Sequence, residues 1–305
     1  MCHILTTAVL TGVFRSAQIP PGVINIVFGD GPTTGTALAI SPHISGVSFT
    51  GGTSTGIALR QATAHQIGKH LSLELGGKNP TLVFRDAFQD ITEQTSAIRT
   101  AANAAFQNQG EICLCGSRIY VEESIFDAFV QEFVVYVKKA FVVGKTVGAV
   151  VSKQHYDKVR EYLSLAAEQS AVFQLGKVPK EVGRGEGYWI DPVVLTGVPL
   201  DSRVMKDEIF GPVVTITPFR SEEKAVELAN DSEYGLAAIV LTTDGARMRR
   251  VSEQLQAGMI WVNGWLQRQL GTPFGGMKAS GTGREGGEHS RDVFTVVRTV
   301  HLPAY

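Results

Sequence analysis

Apolar residues recur along the chain in short β-branched runs that alternate with longer stretches of helical spacing. Four strands are predicted in the first 84 residues, at 23–27, 46–49, 70–75 and 81–84. Two helices are predicted between them, at 34–40 and 55–64. Strands that alternate with helices at this interval indicate βαβ units and a parallel sheet. Because such sheets bind ligands at the carboxyl ends of their strands, functional residues are expected in the loops at that edge.

The same alternation continues after residue 85 with longer helices. Helices are predicted from their apolar spacing at 92–106, 125–139, 153–168, 222–230 and 246–255. Strands are predicted at 213–217, 237–241 and 259–262. This second α/β unit is expected to begin near Gly76 and Gly77, and the glycine-rich, charged stretch 177–187 predicts a surface loop.

The last apolar stretch, residues 293–302, reads VFTVVRTVHL and is β-branched almost throughout. It predicts a strand at the end of the chain with no hairpin mate next to it in sequence. Such a strand has to pair elsewhere in the fold or with another chain. The sequence leaves both arrangements open.

Composition narrows the class of protein. A chain of 305 residues with 44% hydrophobic and 19% charged residues can bury a large core and form two globular domains. A formal charge of −1 gives no electrostatic basis for binding nucleic acid or a membrane surface. No apolar run is long enough to span a bilayer, and the N-terminus lacks a basic leader. With three cysteines and no disulfide framework, we expect a cytoplasmic protein.

Two glycine-marked stretches carry the candidate chemistry. Glu74 lies in LELGGKNP (73–80), and Cys113 follows 39 residues later in FQNQGEICLCGSR (106–118). A thiol can capture a carbonyl group covalently, and a carboxylate can then activate the water that releases the acyl group. The two stretches together favour an enzyme that forms a covalent intermediate.

Each residue also has a structural interpretation. Cys113 follows a predicted helix, where backbone amides and a helix dipole would lower its pKa towards a usable thiolate. It could instead be a buried structural cysteine, and Cys115, two residues further on, is the natural control. Glu74 ends an apolar run, where a carboxylate is unfavourable unless it has a purpose or forms a salt bridge. Glu208, in DEIFGPVV (207–214), has the same two interpretations.

Two further loops suggest a phosphate-containing ligand. Residues 29–35 read GDGPTTG and residues 51–56 read GGTSTG, each after a predicted strand and before a predicted helix. Glycines in that place let backbone amides approach a phosphate at the helix N-terminus. Neither loop matches the GxGxxG fingerprint, but two of them on successive strands favour a dinucleotide. The histidines and cysteines do not have the spacing of a metal site or a cysteine protease.

These motifs occur in an order that resembles the aldehyde dehydrogenase superfamily. LELGGKNP, FQNQGEICLCGSR, DEIFGPVV and PFGGMKASGTGREGG (273–287) follow one another at about the spacing of that family. The resemblance covers nearly the whole chain from residue 20. NQGEICLC and WLQRQLGTPFGGMK (265–278) are similar to the 2-aminomuconic and 2-hydroxymuconic semialdehyde dehydrogenases.

The resemblance implies a fold and a mechanism. Cys113 would attack an aldehyde to give a thiohemiacetal, hydride would pass to NAD, and Glu74 would activate the water that hydrolyses the thioester. Glu208 would hold the nicotinamide ribose with Phe210 beside it, and Arg268 would pair with a substrate carboxylate, which a guanidinium meets with two hydrogen bonds. The remaining residues of the coenzyme cleft would be Gly29, Pro32, Gly35, Phe49, Gly51, Gly52 and Leu75.

The resemblance also implies a domain plan for this α/β chain. Residues 1–76 would form part of a Rossmann-type coenzyme domain, residues 77–275 the catalytic domain, and residues 276–305 a return to the coenzyme domain followed by an oligomerisation strand. We therefore expect a homo-oligomer. The family's chains begin far upstream, in a part that carries the first coenzyme-domain strands and an oxyanion-hole asparagine. The chain alone is thus expected to bind NAD weakly and to turn over slowly.

Other departures from the family pattern are small. Gly52 stands where many members have serine, and the stretch between residues 141 and 148 is shorter than usual. Two other functions stay open at this point. The chain could be a catalytically impaired relative that acts as an assembly subunit, or a thiol esterase that needs the same cysteine and glutamate but no coenzyme.

Overall fold

A computed structural model describes residues 4–182 and 187–304 of the chain. The strands in chain order are β1 (Gly46–Thr50), β2 (His70–Glu74), β3 (Pro80–Val83), β4 (Arg118–Glu122), β5 (Val172–Leu175), β6 (Val193–Thr196), β7 (Val213–Phe219), β8 (Tyr234–Gly235), β9 (Ala237–Leu241), β10 (Met259–Val262), β11 (Met277–Lys278) and β12 (Gly281–Thr282). The helices are α1 (Ile4–Ser16), α2 (Thr36–Ile40), α3 (Thr53–Thr63), α4 (Ile91–Phe106), α5 (Phe126–Ala140), α6 (Lys153–Glu168), α7 (Arg203–Lys206), α8 (Glu222–Asn230), α9 (Gly245–Gln254) and α10 (Gly287–Phe294).

The main sheet has seven strands in the order β10-β9-β3-β4-β7-β6-β5. Its pairs are parallel except at one edge, where β5 runs antiparallel to β6. A smaller sheet is formed by β1 and β2 in parallel, with β12 antiparallel on the other side of β2. The predicted α/β fold is therefore confirmed. The chain passes from the small sheet to the main sheet between β2 and β3.

Helices cover both faces of the main sheet, which is why its strands are apolar on both sides. One core contains Leu82 and Phe84 from the β3 region and Leu163 from α6. The other contains Phe106 from α4 and the stacked pair Phe129 and Phe133 from α5, whose ring centres lie 5.6 Å apart. Across the described residues, no helix combines the length and apolar character that crossing a bilayer requires.

Most of the elements predicted from the apolar pattern are confirmed to within a few residues. These are β1, β2, β3, β7, β9 and β10, and the helices α2, α3, α4, α5, α6, α8 and α9. The predicted loop 177–187 is irregular over residues 177–182 and at residue 187, and residues 183–186 lie outside the described part. The strands β4, β5 and β6 were not predicted. β4 begins and ends with a charged residue, and the other two have only four residues each.

Two predicted strands do not form within the described chain. Residues 23–27 are irregular, and Val23 and Val27 are exposed. At the other end, α10 takes in Phe294, and residues 295–304 have no regular structure, with Val296 and Val297 more than 90% exposed. Both segments are rich in β-branched residues, but neither pairs with a strand of the described chain. A strand depends on a partner for its hydrogen bonds, so β propensity alone does not produce one.

A buried arginine ties the central strand β4 to its surroundings. Arg118 is 2% exposed and donates hydrogen bonds to five oxygens. The acceptors are Lys78 O, Tyr120 Oη, Leu228 O, Ala229 O and Asp231 O, at 2.8 to 3.2 Å. Three of these are carbonyls at the C-terminal end of α8, where a cation also complements the helix dipole. Arg118 thereby fixes the start of β3 and the end of α8 relative to β4.

We predict that Arg118→Leu lowers the free energy of unfolding by about 3 kcal/mol or more, because it leaves several buried carbonyls without a donor. Urea denaturation of the purified chain measures this. Arg220→Leu is the control, since the Arg220–Glu123 ion pair is exposed and its loss is expected to change stability by less than about 1 kcal/mol. Equal stability of Arg118→Leu and the wild type would contradict the role of Arg118.

Candidate active site

The segment that joins the two sheets, residues 74–79, is buried along its whole length. It begins with Glu74 at the end of β2 and ends with Asn79 just before β3. The carbonyl of Glu74 accepts a hydrogen bond of 3.0 Å from the N–H of Gly51, which follows β1. The loop after β1, the turn that carries Cys113 and the loop that carries Glu208 all contact this segment.

Cys113 lies in a turn that follows an unusual run of backbone conformations. Asn108, Gln109 and Gly110 have φ values of +51°, +47° and +74°, in the left-handed region. Gly110 packs directly on the backbone of Gly211 in the DEIFGPVV stretch. A Cβ on Gly110 would lie 2.1 Å from Gly211 O. Only glycine permits this approach. The thiol is half-buried and does not stand at the N-terminus of a helix.

The expected lowering of the Cys113 pKa is therefore wrong. Burial raises the pKa of the Cys113 thiol, and the charges of Glu208 and Glu74 raise it further. The N–H groups of Cys113 and Leu114 oppose this rise. Cys115 is more deeply buried, and burial raises its pKa to about 12. The two cysteines differ as expected, but neither is activated by a helix dipole.

Glu74 is a buried carboxyl group without a hydrogen-bond partner. Its side chain is 4% exposed, and neither oxygen has a partner among the described residues, so the salt-bridge interpretation is wrong. Burial raises the pKa of Glu74 to about 7, and the charge of Glu285 adds to the rise. The charges of Arg284 and Arg268 oppose it. A carboxyl with a pKa near neutrality can accept and return a proton at physiological pH.

Glu208 approaches the connecting segment from the other side. Its Oε1 accepts a hydrogen bond of 2.9 Å from the N–H of Gly77, and a Cβ on Gly76 would lie 2.5 Å from its Oε2. Burial raises the pKa of Glu208, while the Gly77 N–H and the charges of Lys158 and Lys78 lower it. Both Glu208 and Glu74 act electrostatically on the Cys113 thiol. The Glu208 carboxylate and the carbonyl of Cys113 thus both lie against Gly76 and Gly77, which follow Glu74 in the connecting segment.

Helix α6 holds the stretch that carries Glu208. His155 Nε2 lies 2.5 Å from Phe210 O, and Lys158 Nζ donates to Glu208 O at 2.8 Å. One turn further on, Tyr162 Oη donates to Asp207 Oδ2 at 2.8 Å. Phe210 has a φ of +63°, a strained value for an aromatic residue. Residues 155, 158 and 162 have helical spacing, and this pattern in the sequence is the one sign of the contact.

Four predicted coenzyme residues lie together at the carboxyl ends of β1 and β2. The ring of Phe49 packs against Gly51, where a Cβ would lie 2.5 Å away. Leu75 packs in the same way on Gly56 of α3, where a Cβ on Gly56 would lie 2.6 Å from the Leu75 side chain. Gly52 is the N-cap of α3 and has no side chain to bond the first free N–H groups of the helix. An anion could therefore bind at this helix N-terminus.

The other three predicted coenzyme residues stand apart. Gly29 lies before, and Pro32 and Gly35 within, a short helical turn (Gly31–Gly35) that leads into α2. Asp30 caps this turn by accepting a hydrogen bond of 2.8 Å from the Thr33 N–H. α2 in turn packs on α3.

Arg268 lies at the exposed side of the same site. Its guanidinium carbon is 4.2 Å from the centre of the Phe274 ring, a cation–π contact that limits where the group can point. The stretch that follows also borders Glu74, because a Cβ on Gly275 would lie 3.0 Å from Glu74 Oε1. A cation at this position can bind an anionic group.

Sequence reasoning missed two residues of the connecting segment. Lys78 is 2% exposed, and burial lowers its pKa to about 7. Asn79 is equally buried and hydrogen-bonds to the turn that carries Cys113. Both belong to LELGGKNP, but nothing in the sequence distinguishes them from surface residues. Within the described residues, no group of three or more metal-binding side chains is found.

Comparison with known proteins gives one family. Residues 3–300 match the model described as "Aldehyde dehydrogenase family". Human 2-aminomuconic semialdehyde dehydrogenase is 43% identical over 306 residues, covering 97% of this chain and 61% of the relative. The 2-hydroxymuconic semialdehyde dehydrogenase of Pseudomonas sp. (strain CF600) is 40% identical with the same coverage. The chain thus spans about three fifths of the length of these relatives.

Solved structures agree with this result. Betaine aldehyde dehydrogenase from Staphylococcus aureus, in complex with NAD+, has a TM-score of 0.86 and 35% identity, covering 93% of this chain and 56% of that one. Indole-3-acetaldehyde dehydrogenase from P. syringae, in complex with NAD+ and IAA, has a TM-score of 0.89 and 34% identity, covering 96% and 59%. These similarities extend over both sheets of the fold.

The raised pKa of Glu74 predicts a pH-dependent stability. Because its folded-state pKa of about 7 lies above the ordinary value of 4.5, the folded state binds a proton more tightly than the unfolded state between these values. The resulting stabilisation is complete below the lower value and is lost as the pH rises through the upper one. Glu74→Gln is therefore expected to be more stable than the wild type by about 3 kcal/mol at pH 8, and equally stable near pH 4.

Urea denaturation between pH 4 and pH 8.5 would measure this difference. The exposed Glu253→Gln variant removes a carboxyl group outside the site and should follow the wild type at every pH. A constant difference between Glu74→Gln and the wild type across the range would show that Glu74 ionises normally.

Proposed function

Because this chain belongs to the aldehyde dehydrogenase family, we propose that it oxidises an aldehyde to a carboxylic acid with NAD. The substrate class we propose is a semialdehyde that carries a carboxylate, as in the names of the muconic semialdehyde relatives. The observation that carries the proposal is the convergence of Cys113, Glu74 and Glu208 on the buried segment 74–79.

Cys113 is the proposed nucleophile. Its pKa is raised, so the thiol needs a base to become a thiolate, and Glu74 is a nearby carboxylate whose pKa of about 7 suits that task. The proton would move from Cys113 Sγ to a Glu74 oxygen as Sγ bonds to the carbonyl carbon, giving the oxyanion of a thiohemiacetal. Glu74 would then release this proton to solvent, which leaves it ionised for the hydrolysis step. When NAD is bound, it supplies the acceptor for the hydride whose loss turns the thiohemiacetal into a thioester.

Glu74 is also the proposed base for hydrolysis. Both of its oxygens lack partners in the described residues, so one can accept a hydrogen bond from water. Water that has lost a proton to Glu74 would attack the thioester carbon, release the acid and return the thiol to Cys113.

The residues proposed to hold NAD fit that group. Glu208 has one oxygen bonded to the Gly77 N–H, which leaves the other free to accept hydrogen bonds from the nicotinamide ribose, with Phe210 beside it. The α3 N-terminus is the proposed place of a phosphate, and the hydroxyl of Thr53 there is buried without a partner among the described residues. The other proposed coenzyme residues are Gly29, Pro32, Gly35, Phe49, Gly51, Gly52 and Leu75.

Arg268 is the proposed partner of the substrate carboxylate. It lies near Glu74, on the exposed side of the site, and its guanidinium group can form two hydrogen bonds to a carboxylate. The contact with Phe274 holds the group without using its hydrogen-bond donors. A carboxylate bound there would direct the aldehyde end of the substrate towards Cys113.

The wider organisation of the protein is part of the same proposal. We propose residues 1–76 as part of a coenzyme domain, 77–275 as the catalytic domain and 276–305 as the return and oligomerisation segment. The exposed apolar side chains between residues 294 and 302 support pairing with a second copy in a homo-oligomer. The few cysteines support a reducing, cytoplasmic location.

The two cysteines of the turn provide a direct test. With NAD and a carboxylate-bearing semialdehyde, Cys113→Ala is expected to lower the rate of NADH formation by about 1,000-fold or more, because no thiohemiacetal can form. Cys115→Ala, two residues away in the same turn, should stay within about threefold of the wild type. Glu74→Gln should form NADH slowly and stop after about one NADH per active site, because it lacks the base for both the thiol and the hydrolytic water. A wild-type chain that forms no NADH would favour the non-catalytic alternative.

Arg268 can be tested through substrate selectivity. Arg268→Ala is expected to raise KM for a carboxylate-bearing semialdehyde by about 10- to 100-fold, the range for a lost charge-assisted hydrogen bond pair. KM for an uncharged aldehyde of the same length should not change. Arg268→Lys keeps the charge but not the planar guanidinium group, so its KM for the carboxylate-bearing semialdehyde should lie between those of the wild type and Arg268→Ala. Equal losses with both aldehydes would rule out a carboxylate-binding role.

A further inference from the structure

Asn79 is buried between the turn that carries Cys113 and the start of β9. Its Nδ2 donates to Cys113 O at 2.8 Å and to Cys115 O at 2.9 Å, and its Oδ1 accepts from the Ala237 N–H at 2.9 Å. Both amide hydrogens are therefore used on the same turn. Asn79 holds two carbonyl groups, one on each side of Leu114.

The planar peptide group transmits this contact to the thiol. In a trans peptide the carbonyl and the N–H point in opposite directions, so fixing Cys113 O also fixes the Leu114 N–H. The N–H groups of Cys113 and Leu114 lower the pKa of the thiol and so favour its charged form. A side chain on the far side of the turn thus controls a hydrogen-bond donor on the reactive side.

Gly77 makes this arrangement possible. A Cβ at residue 77 would lie 2.6 Å from Cys113 O and 2.9 Å from Asn79 Oδ1, closer than atoms can approach. The absence of a side chain there lets the backbone of the connecting segment and the turn lie against each other. Asn79 fills the remaining gap with an amide that satisfies otherwise buried carbonyls.

We propose that Asn79 is a positioning residue that orients the Cys113–Leu114 peptide and thereby sets the reactivity of the Cys113 thiol. The inference rests on the proposed function, in which Cys113 is the nucleophile. It differs from a purely structural role, in which Asn79 would only tie β9 to the connecting segment through the Ala237 N–H. The two roles predict opposite changes in thiol reactivity.

Alkylation by iodoacetamide, followed for each cysteine by peptide mass spectrometry, separates the two roles. In Asn79→Ala, Cys113 is expected to react about tenfold more slowly than in the wild type at pH 8, with its pH midpoint about one unit higher, because the thiolate loses an oriented donor. Cys115 should stay protected. A chain that has merely loosened would show faster reaction at both cysteines.

Asn79→Asp is the second variant, since its carboxylate can still accept from the Ala237 N–H but cannot donate to the two carbonyls. It is expected to slow Cys113 at least as much as Asn79→Ala. Asn230→Ala is the matched control, because Asn230 also bridges two backbone groups, Gln254 O at 2.9 Å and the Gln256 N–H at 2.8 Å, away from the turn. It should leave the Cys113 rate unchanged.

Three results would overturn the inference. A reactive wild-type Cys113 whose rate is unchanged in both Asn79 variants would refute it while leaving the proposed function intact. Fast alkylation of both cysteines in both variants would assign Asn79 to folding alone. Wild-type chain in which Cys113 reacts no faster than Cys115 would refute the proposed function, and the inference with it.

Discussion

The site depends on the close approach of backbone to backbone along residues 74–79. Gly76 and Gly77 have no side chains, so Glu208 and the turn of Cys113 can both reach this one buried segment. A methyl group at either glycine would overlap an atom of the site by about an ångström. The end of β2, the turn that carries Cys113 and the loop that carries Glu208 therefore meet within hydrogen-bond distance. The same crowding makes the segment a rigid support for the groups around it.

Burial of several ionisable groups in this small space controls their protonation. Water would stabilise the charged forms, and its exclusion raises the pKa values of Glu74, Glu208 and Cys113 and lowers that of Lys78. Each negative charge also opposes the formation of the next. A proton passed from the thiol to Glu74 leaves the total charge unchanged. Exchange between these two groups is therefore easier than loss of a proton to solvent.

The strain in the two loops is balanced by contacts from outside them. Asn108 and Gln109 before the thiol, and Phe210 after Glu208, have left-handed backbone conformations that are unfavourable for such residues. His155 contacts Phe210 O and lies 3.5 Å from the Glu111 carboxylate in the thiol-bearing stretch. Helix α6 thus restrains both loops. Strain of this kind persists only where the surrounding packing holds it, as it does here on α6 and the main sheet.

The sequence by itself determined the α/β fold and most helices and central strands, and it supplied the candidate thiol and carboxyl stretches, because these follow from local periodicity and short motifs. It did not determine whether residues 23–27 and 293–302 form strands, because that depends on a neighbour along the edge. Nor did it determine the direction of the Cys113 pKa shift or the part played by Asn79. Both depend on which groups are packed against the thiol and how far water is excluded, and only the tertiary structure decides that.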